Sequence, residues 1–242
     1  MLKIVTFLVC IWINLAWVIT DTSSFIPVHP LCREKWFAED LELLNNRNWQ
    51  NTLAYANGNP IQTLTNPNSP FPYYRYDLTF DNVSLDFLYS IEGPNYPNTS
   101  KHWIPQLIRG ETVPCNHSDQ EFCPQYLAYS FCPIPFSDRD VCQIYCPTKI
   151  SFATLQLAVR TIPFENCASA TNTSQNELIH MKEHVAKFFW VDGDQTKFTY
   201  LGMENPEENF PVWFMRLFYP WAYGSHVRNY INYVEKTAHN IS

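Results

Sequence analysis

The distribution of cysteine is the feature that most constrains how this chain can fold. Six cysteines lie between Cys115 and Cys167, and Cys32 lies far upstream of them. In an oxidising compartment such a cluster predicts a disulfide-bonded central region, in which each bridge stabilises the fold by roughly 2 to 4 kcal/mol. The pairing does not follow from spacing. The residues expected to form disulfides are Cys32, Cys115, Cys123, Cys132, Cys142 and Cys146.

The number of cysteines available for pairing is odd. Cys10 lies inside an apolar N-terminal segment, so its loss with that segment leaves seven of the eight. One of the seven is then free, bonded to another chain or used in chemistry. Cys32 and Cys167 are the candidates for this role, because they stand at the two ends of the series.

The N-terminal segment has the layout of a secretory signal peptide. Lys3 precedes an apolar run from Ile4 to Ile19, and polar residues follow at once. An uncleaved membrane anchor is the alternative, since the run approaches the roughly 20 apolar residues that span a bilayer. Asn14 interrupts the run and favours cleavage.

We therefore predict two segments: a signal peptide over residues 1–20 and a single secreted, disulfide-bonded α+β domain over residues 21–242. No integral membrane segment is expected after cleavage. The destination is the extracellular space or, alternatively, the lysosome or another endomembrane lumen. Four sequons in predicted turns suit N-glycosylation there, at Asn82, Asn98, Asn116 and Asn172. The sequon at Asn240 ends the chain and is the least favourable.

Hydrophobic periodicity predicts three amphipathic helices. Apolar residues recur at helical spacing over 33–45 and over 176–187, and near the C-terminus Val227, Tyr230, Ile231 and Val234 repeat at i, i+3, i+4 and i+7.

Alternation of apolar and polar residues predicts β-hairpins. One spans 74–91 with its turn at Asp81-Asn82, and a second joins 188–191 to 197–201 through Asp192-Gly193-Asp194. Residues 150–162 favour a strand, short strands are expected between Cys115 and Cys146, and the proline-rich segment 59–72 indicates a loop. The fold class is therefore α+β, with antiparallel hairpins packed against two or three amphipathic helices.

Composition excludes some partners. The chain has 16 basic and 23 acidic residues and a net charge of −7 at pH 7, which disfavours nucleic acid. Aromatic residues make up 16% of the chain, enough for a well-filled core and also for a carbohydrate or lipid site. The partner, whether protein, glycan or lipid, is not specified, and no cofactor is expected.

Residues 180–184 match the H-x-x-E-H motif of inverted zincins, with His180 and His184 as ligands and Glu183 as the base. In a helix these residues lie opposite the apolar stripe of 176–187, which favours a solvated polar face. A third ligand would come from Glu204, Glu207, Glu208 or Glu235. We expect no metal site.

Cys167 with His180 or His184 could form a nucleophile and base, although Glu165-Asn166-Cys167 is not a nucleophile elbow. Cys167, Phe198-Thr199-Tyr200-Leu201-Gly202 and Leu217-Phe218-Tyr219-Pro220-Trp221 are similar to the C-terminal part of the soluble lysosomal ceroid-lipofuscinosis type-five family. That resemblance implies a glycoprotein with a cysteine-based lipid-modifying site, but it does not extend to the upstream half or supply the histidine.

The leading hypothesis is thus a non-catalytic, N-glycosylated secreted or lumenal binding module. The alternative is a small lumenal cysteine-dependent hydrolase or acyltransferase that uses Cys167 with His180 or His184.

Overall fold

A computed structural model describes residues 31–56, 58–115, 123–130, 138–151, 153–169, 178–207 and 211–239. Within these ranges the chain forms one large antiparallel sheet with helices on both faces, which confirms the α+β class. The strands are β1 (Gln50–Ala56), β2 (Asn59–Leu64), β3 (Tyr73–Asp81), β4 (Leu107–Thr112), β5 (Gln125–Tyr129), β6 (Arg139–Ser151), β7 (Thr154–Thr161), β8 (Ile179–His180), β9 (Lys182–Asp192) and β10 (Gln195–Asn205).

The strand order places the hairpin formed by β9 and β10 in the middle of the sheet. It runs β1-β2-β3-β10-β9-β7-β6-β5-β4, and the short β8 pairs in parallel with β6. The β9–β10 hairpin is the one predicted around Gly193, whose φ of +64° suits the tight turn. The strand predicted over 150–162 is also confirmed, as β7.

The described helices are α1 (Glu34–Leu44), α2 (Leu85–Glu92), α3 (Tyr96–Thr99) and α4 (Val212–His239), and short 3-10 helices cover Ser100–His102 and Phe164–Cys167. The predicted N-terminal and C-terminal helices are thus confirmed as α1 and α4. None of the described helices is both long enough and apolar enough to cross a bilayer.

The helix predicted over 176–187 is wrong. That part of the chain contributes β8 and β9, and β9 pairs along its length with β7 and β10. Residues 185–189 are all buried, because both faces of the sheet are covered there, and four of the five are apolar; the exception, Lys187, is buried in an ion pair. Tertiary pairing outweighs the helical period of the local sequence.

The first predicted hairpin is half correct. Residues 73–81 form β3, but the second half folds as α2 and not as the partner strand. Ser84 begins this helix, because its hydroxyl accepts a hydrogen bond from the Phe87 backbone N–H at 3.1 Å. β3 instead pairs with β10 and β2. The loop predicted over 59–72 is therefore wrong in its first part, where Asn59–Leu64 forms β2.

The two faces of the sheet are covered by different helices. We call the face that contacts α1 the outer face; Leu41 and Leu44 pack there against Phe188 and Leu201. We call the opposite face the inner face; α4 crosses it and buries Val227 among other residues. Gly224 allows a close approach of α4 to β1, because a Cβ there would lie 3.1 Å from the Tyr55 carbonyl oxygen.

Disulfides hold the central region, as predicted. The bonded pairs are Cys32–Cys146, Cys115–Cys123 and Cys142–Cys167.

The expectation that Cys32 or Cys167 is the unpaired cysteine is wrong, because the structure bonds both. Each reaches a cysteine of β6 whose side chain lies on the outer face. Cys132 lies outside the described residues.

Candidate functional site

A cavity of about 550 Å³ lies between the inner face of the sheet and α4. Its walls come from β3, β6, β7, β9 and β10 on one side, and from α4 with the segment between α2 and β4 on the other. Most of the lining is apolar or aromatic, including Tyr76, Tyr96, Trp103, Tyr145, Tyr200 and Tyr230. A long helix laid across a curved sheet thus leaves the core incompletely filled.

Aromatic packing fixes the shape of this cavity. The rings of Tyr76 and Tyr200 stack with their centroids 4.8 Å apart, and Trp103 meets Tyr230 edge to face at 5.1 Å. Such contacts add stability beyond the burial of area and restrict each ring to one orientation. The wall is therefore largely formed before any ligand enters.

A buried ion pair crosses one side of the cavity. The Lys187 ammonium lies 2.6 Å from a carboxylate oxygen of Glu92 and donates a second hydrogen bond to its backbone carbonyl at 3.1 Å. The same ammonium stands 4.0 Å from the centre of the Tyr96 ring, within cation–π range. Side-chain exposure is 3% for Lys187 and 5% for Glu92, so this pair is shielded from solvent.

Two further glutamates face the cavity. Glu183 on β9 and Glu204 on β10 are direct cross-strand partners in the sheet register. Glu204 accepts hydrogen bonds from the hydroxyls of Tyr223 at 2.5 Å and Tyr200 at 3.3 Å. Glu183 is half-buried and lines the same cavity.

Burial dominates the protonation of this glutamate pair. Desolvation, followed by the charge of Glu204, raises the pKa of Glu183 to about 8, although Lys187 opposes the shift. Desolvation also raises the pKa of Glu204, against the hydrogen bonds from Tyr223 and Tyr200. At neutral pH Glu183 therefore holds a proton that an exposed glutamate would have released.

The residues of the H-x-x-E-H motif lie on opposite sides of the sheet. β9 alternates its side chains, so Glu183 faces the cavity and His184 faces the outer side, where its Nε2 lies 3.0 Å from Asp40. His180 on β8 has its Nδ1 2.6 Å from Asp140.

The structure does not bring together the residues considered for a zinc site, and it pairs the cysteine considered as a nucleophile. Within the described ranges, no three His, Cys, Asp or Glu side chains gather as a metal site requires. The catalytic role considered for Cys167 is contradicted, because its sulfur is bonded to Cys142 and cannot act as a thiolate. His180 and His184 are instead held by separate aspartates.

Sequence reasoning missed Glu92 and Lys187, because nothing local to either residue marks it as buried. Glu183 was considered as the base of a zinc site on a solvated helix, and Glu204 was considered as one possible third ligand. The available signal was the apolar segment 185–191, which only Lys187 interrupts and which is typical of a strand buried on both faces.

The N-terminal half of α4 carries an exposed apolar row. Trp213, Leu217 and Trp221 recur every four residues, with 64%, 65% and 73% of their surface exposed. Trp221 also belongs to the cavity lining. The exposed row is therefore continuous with one wall of the cavity.

Two of the predicted glycosylation sites fall within the described residues. Asn82 is exposed in the turn after β3, where its φ is +57°, and Asn98 is exposed on α3. Asn116 and Asn172 lie outside the described residues.

Comparison with known proteins identifies the fold. No protein-family model matches the chain, and no curated protein sequence matches it. Solved structures do match, although at low identity. Human StAR-related lipid transfer protein 5 superimposes with a TM-score of 0.68 and 11% identity, over 86% of this chain and 95% of that one. Human STARD10 gives a TM-score of 0.65 and 14% identity, over 87% and 84%.

A third match is the lipid transfer and protein localization domain of human StarD13, with a TM-score of 0.61 and 8% identity, over 85% of this chain and 98% of that domain. These likenesses establish a START-like helix-grip fold. In this fold the cavity described above lies between the sheet and the long C-terminal helix.

Proposed function

We propose that this protein binds one lipid molecule in the cavity beneath α4 and carries it without altering it chemically. The observation that supports this most is the cavity itself, a partly open space of about 550 Å³ whose lining is mostly apolar or aromatic. Its position under the C-terminal helix of a START-like fold adds support, because solved lipid-transfer proteins share that fold.

The cavity size narrows the class of lipid. Pockets that take a single small ligand span roughly 300 to 1,000 Å³. A volume of about 550 Å³ lies within this range and suits one amphiphile with a single long hydrocarbon chain better than a lipid with two. A lipid that leaves beside Trp221 would next meet the exposed row formed with Trp213 and Leu217.

A binding role is favoured over the cysteine-dependent alternative. The disulfide between Cys142 and Cys167 removes the thiol on which a hydrolase or acyltransferase would depend. The histidines considered as its base, His180 and His184, lie away from the cavity and bind aspartates.

We further propose that the protein works outside the cytosol, as a secreted or lumenal glycoprotein. The signal-like N-terminus supports this, and so do the disulfides, which form and persist in oxidising compartments. The exposed positions of Asn82 and Asn98 are compatible with attached glycans.

The test is to secrete the protein from a eukaryotic host, purify it without detergent and measure extracted lipid by mass spectrometry. We expect close to one lipid per protein molecule. Val159→Phe should lower that occupancy severalfold, because Val159 is 1% exposed and lines the cavity.

Val191→Phe is the matched control, since Val191 is 42% exposed at the end of β9. Val185→Phe provides a second cavity-filling variant, and near-ultraviolet circular dichroism establishes which variants fold. The proposal fails if a folded cavity-filled variant retains as much lipid as the control, or if the wild type neither contains lipid nor binds added lipid.

A further inference from the structure

The cross-strand pair of glutamates is an unusual feature in the wall of an apolar cavity. Like charges directly opposite each other in a sheet are destabilising, and burial adds the cost of removing each carboxylate from water. Glu183 and Glu204 nonetheless occupy this register on the two central strands, next to the open end of the β9–β10 hairpin, where both line the cavity.

Among the described residues, the hydrogen bonds that reach these two carboxyl groups come from tyrosine hydroxyls. Tyr223 and Tyr200 donate to Glu204. The side chain of Glu183 has no hydrogen bond and no ion pair to any of the described residues, although it lines the same space. An acceptor thus faces the cavity with unused capacity.

The described cations that line or approach the cavity are engaged by other groups or exposed to solvent. The buried Arg139 donates a hydrogen bond to the Pro206 carbonyl at 2.8 Å. The Lys187 ammonium is held by Glu92 on α2. Arg228 reaches the cavity lining from α4 but is exposed, and burial lowers the pKa of His226 to about 4, which makes it neutral at physiological pH. The phenols that surround the glutamates, on Tyr96, Tyr129, Tyr200 and Tyr223, carry no positive charge.

The surrounding rings also favour a cation. Tyrosine faces attract ammonium groups, and the Lys187 ammonium already lies 4.0 Å from the centre of the Tyr96 ring in this cavity. A second ammonium group, brought by a ligand, would meet aromatic faces together with two carboxylates.

We propose that the lipid carried by this protein is a single-chain amphiphile with a positively charged nitrogen, which binds between Glu183 and Glu204. This inference rests on the proposed function, because it requires a lipid in the cavity. The hydrocarbon chain lies along the aromatic wall, and the cationic nitrogen forms ion pairs with both carboxylates.

Binding of such a ligand is coupled to proton release. The empty site holds a proton on Glu183 at neutral pH, because burial raises the pKa of that carboxyl group to about 8. An incoming cation stabilises the ionised form, so that proton leaves on binding. The association constant then rises as the pH increases towards about 8, by up to about tenfold per pH unit for each proton released.

The experiment compares three single-chain probes of equal length on delipidated protein: hexadecyltrimethylammonium, hexadecylamine and uncharged hexadecanol. All are titrated below their aggregation concentrations. We expect both cationic probes to bind about tenfold or more tightly than the alcohol. The quaternary probe has no titratable proton, so calorimetry in buffers of different ionisation enthalpy reports protons released by the protein.

The paired variant is Glu183→Gln with Glu204→Gln, which keeps shape and hydrogen-bonding capacity but removes the charge. It should lose the preference for cations and the proton release while it still binds hexadecanol. Glu207→Gln is the control, since Glu207 forms an ion pair with Lys182 and does not line the cavity.

The possible outcomes separate the two proposals. If no probe binds, the lipid-binding function itself fails. If hexadecanol binds as tightly as the cationic probes, or if the paired variant retains the cation preference, the cavity holds lipid but the inference about charge is overturned.

Discussion

Buried acidic residues lie on both faces of the sheet, but their partners differ. On the outer face Asp40, which is fully buried, contacts the Arg160 guanidinium at 2.5 Å and His184 at 3.0 Å, and it accepts a hydrogen bond from Gln156. On the inner face Glu204 accepts hydrogen bonds from two tyrosine hydroxyls, and the side chain of Glu183 has no hydrogen bond to any described residue.

This difference separates the structural role of the outer-face carboxylate from the binding role that we propose for the inner-face pair. The carboxylate of Asp40 has a complete set of partners and therefore no free acceptor to offer a ligand. Its contacts hold helix α1 against the sheet. A carboxyl group with spare acceptor capacity beside a cavity costs free energy until a ligand satisfies it. Because His184 and Glu183 are neighbours on one strand, the alternation of β9 alone places one residue in each environment.

The largest effect should come from removing the Cys32–Cys146 disulfide, which links the chain just before α1 to β6 on the outer face. Cys32→Ser with Cys146→Ser opens a bridge across 114 residues, so the free energy of unfolding should fall by about 5 kcal/mol in urea titrations. Cys115→Ser with Cys123→Ser spans only 8 residues and should cost about 2 to 3 kcal/mol. Equal losses would contradict the chain-entropy explanation.

The next largest effect should come from breaking the outer network. Asp40→Asn leaves Arg160 buried without its anion, which should lower the free energy of unfolding by about 3 kcal/mol. The neighbouring Glu39→Gln removes an exposed ion pair with Lys35 and should change the free energy of unfolding by less than about 0.5 kcal/mol. Similar losses for the two variants would show that the outer network is not structural.

The smallest effect should be a change in pH dependence on the inner face. Glu183 has a folded pKa of about 8 against an ordinary 4.5, so between these values the folded protein holds the extra proton and its stability falls as pH rises. His226, with a pKa lowered from 6.5 to about 4, gives the opposite slope, confined below about pH 6.5.

Thermal melts of the empty protein between about pH 6.5 and 8.5 therefore isolate the glutamate contribution. We expect the midpoint to fall across this range in the wild type and to stay nearly level in Glu183→Gln. A wild-type midpoint that rises over the same range would refute the assignment of a raised pKa to Glu183.

Local sequence was sufficient for the elements whose signals are local. The β9–β10 hairpin follows from its turn at Gly193, and α1 and α4 follow from one apolar stripe each. The helix predicted over 176–187 failed because its apolar positions fit a helical period while the segment is buried by strands on both sides. Serine is a residue type that often begins helices, but the alternation of apolar and polar residues after Ser84 favoured a strand.

The candidate site was beyond local reasoning. Glu183 and Glu204 become partners through register, and Glu92 joins Lys187 across 95 positions of sequence. No periodicity reports such distances, because burial of a charged side chain depends on elements that are remote in the chain.

The sequence by itself determined the class of molecule: an α+β chain with a cysteine-rich centre, several sequons and an aromatic supply large enough for a deep core. Only the tertiary structure decided which cysteines pair, and that the residues of one apparent motif face opposite sides of a sheet. The physical reason is that a strand alternates its side chains, whereas a helix would have collected them on one face. A cavity lined by two cross-strand carboxyl groups follows from that alternation and from the position of α4.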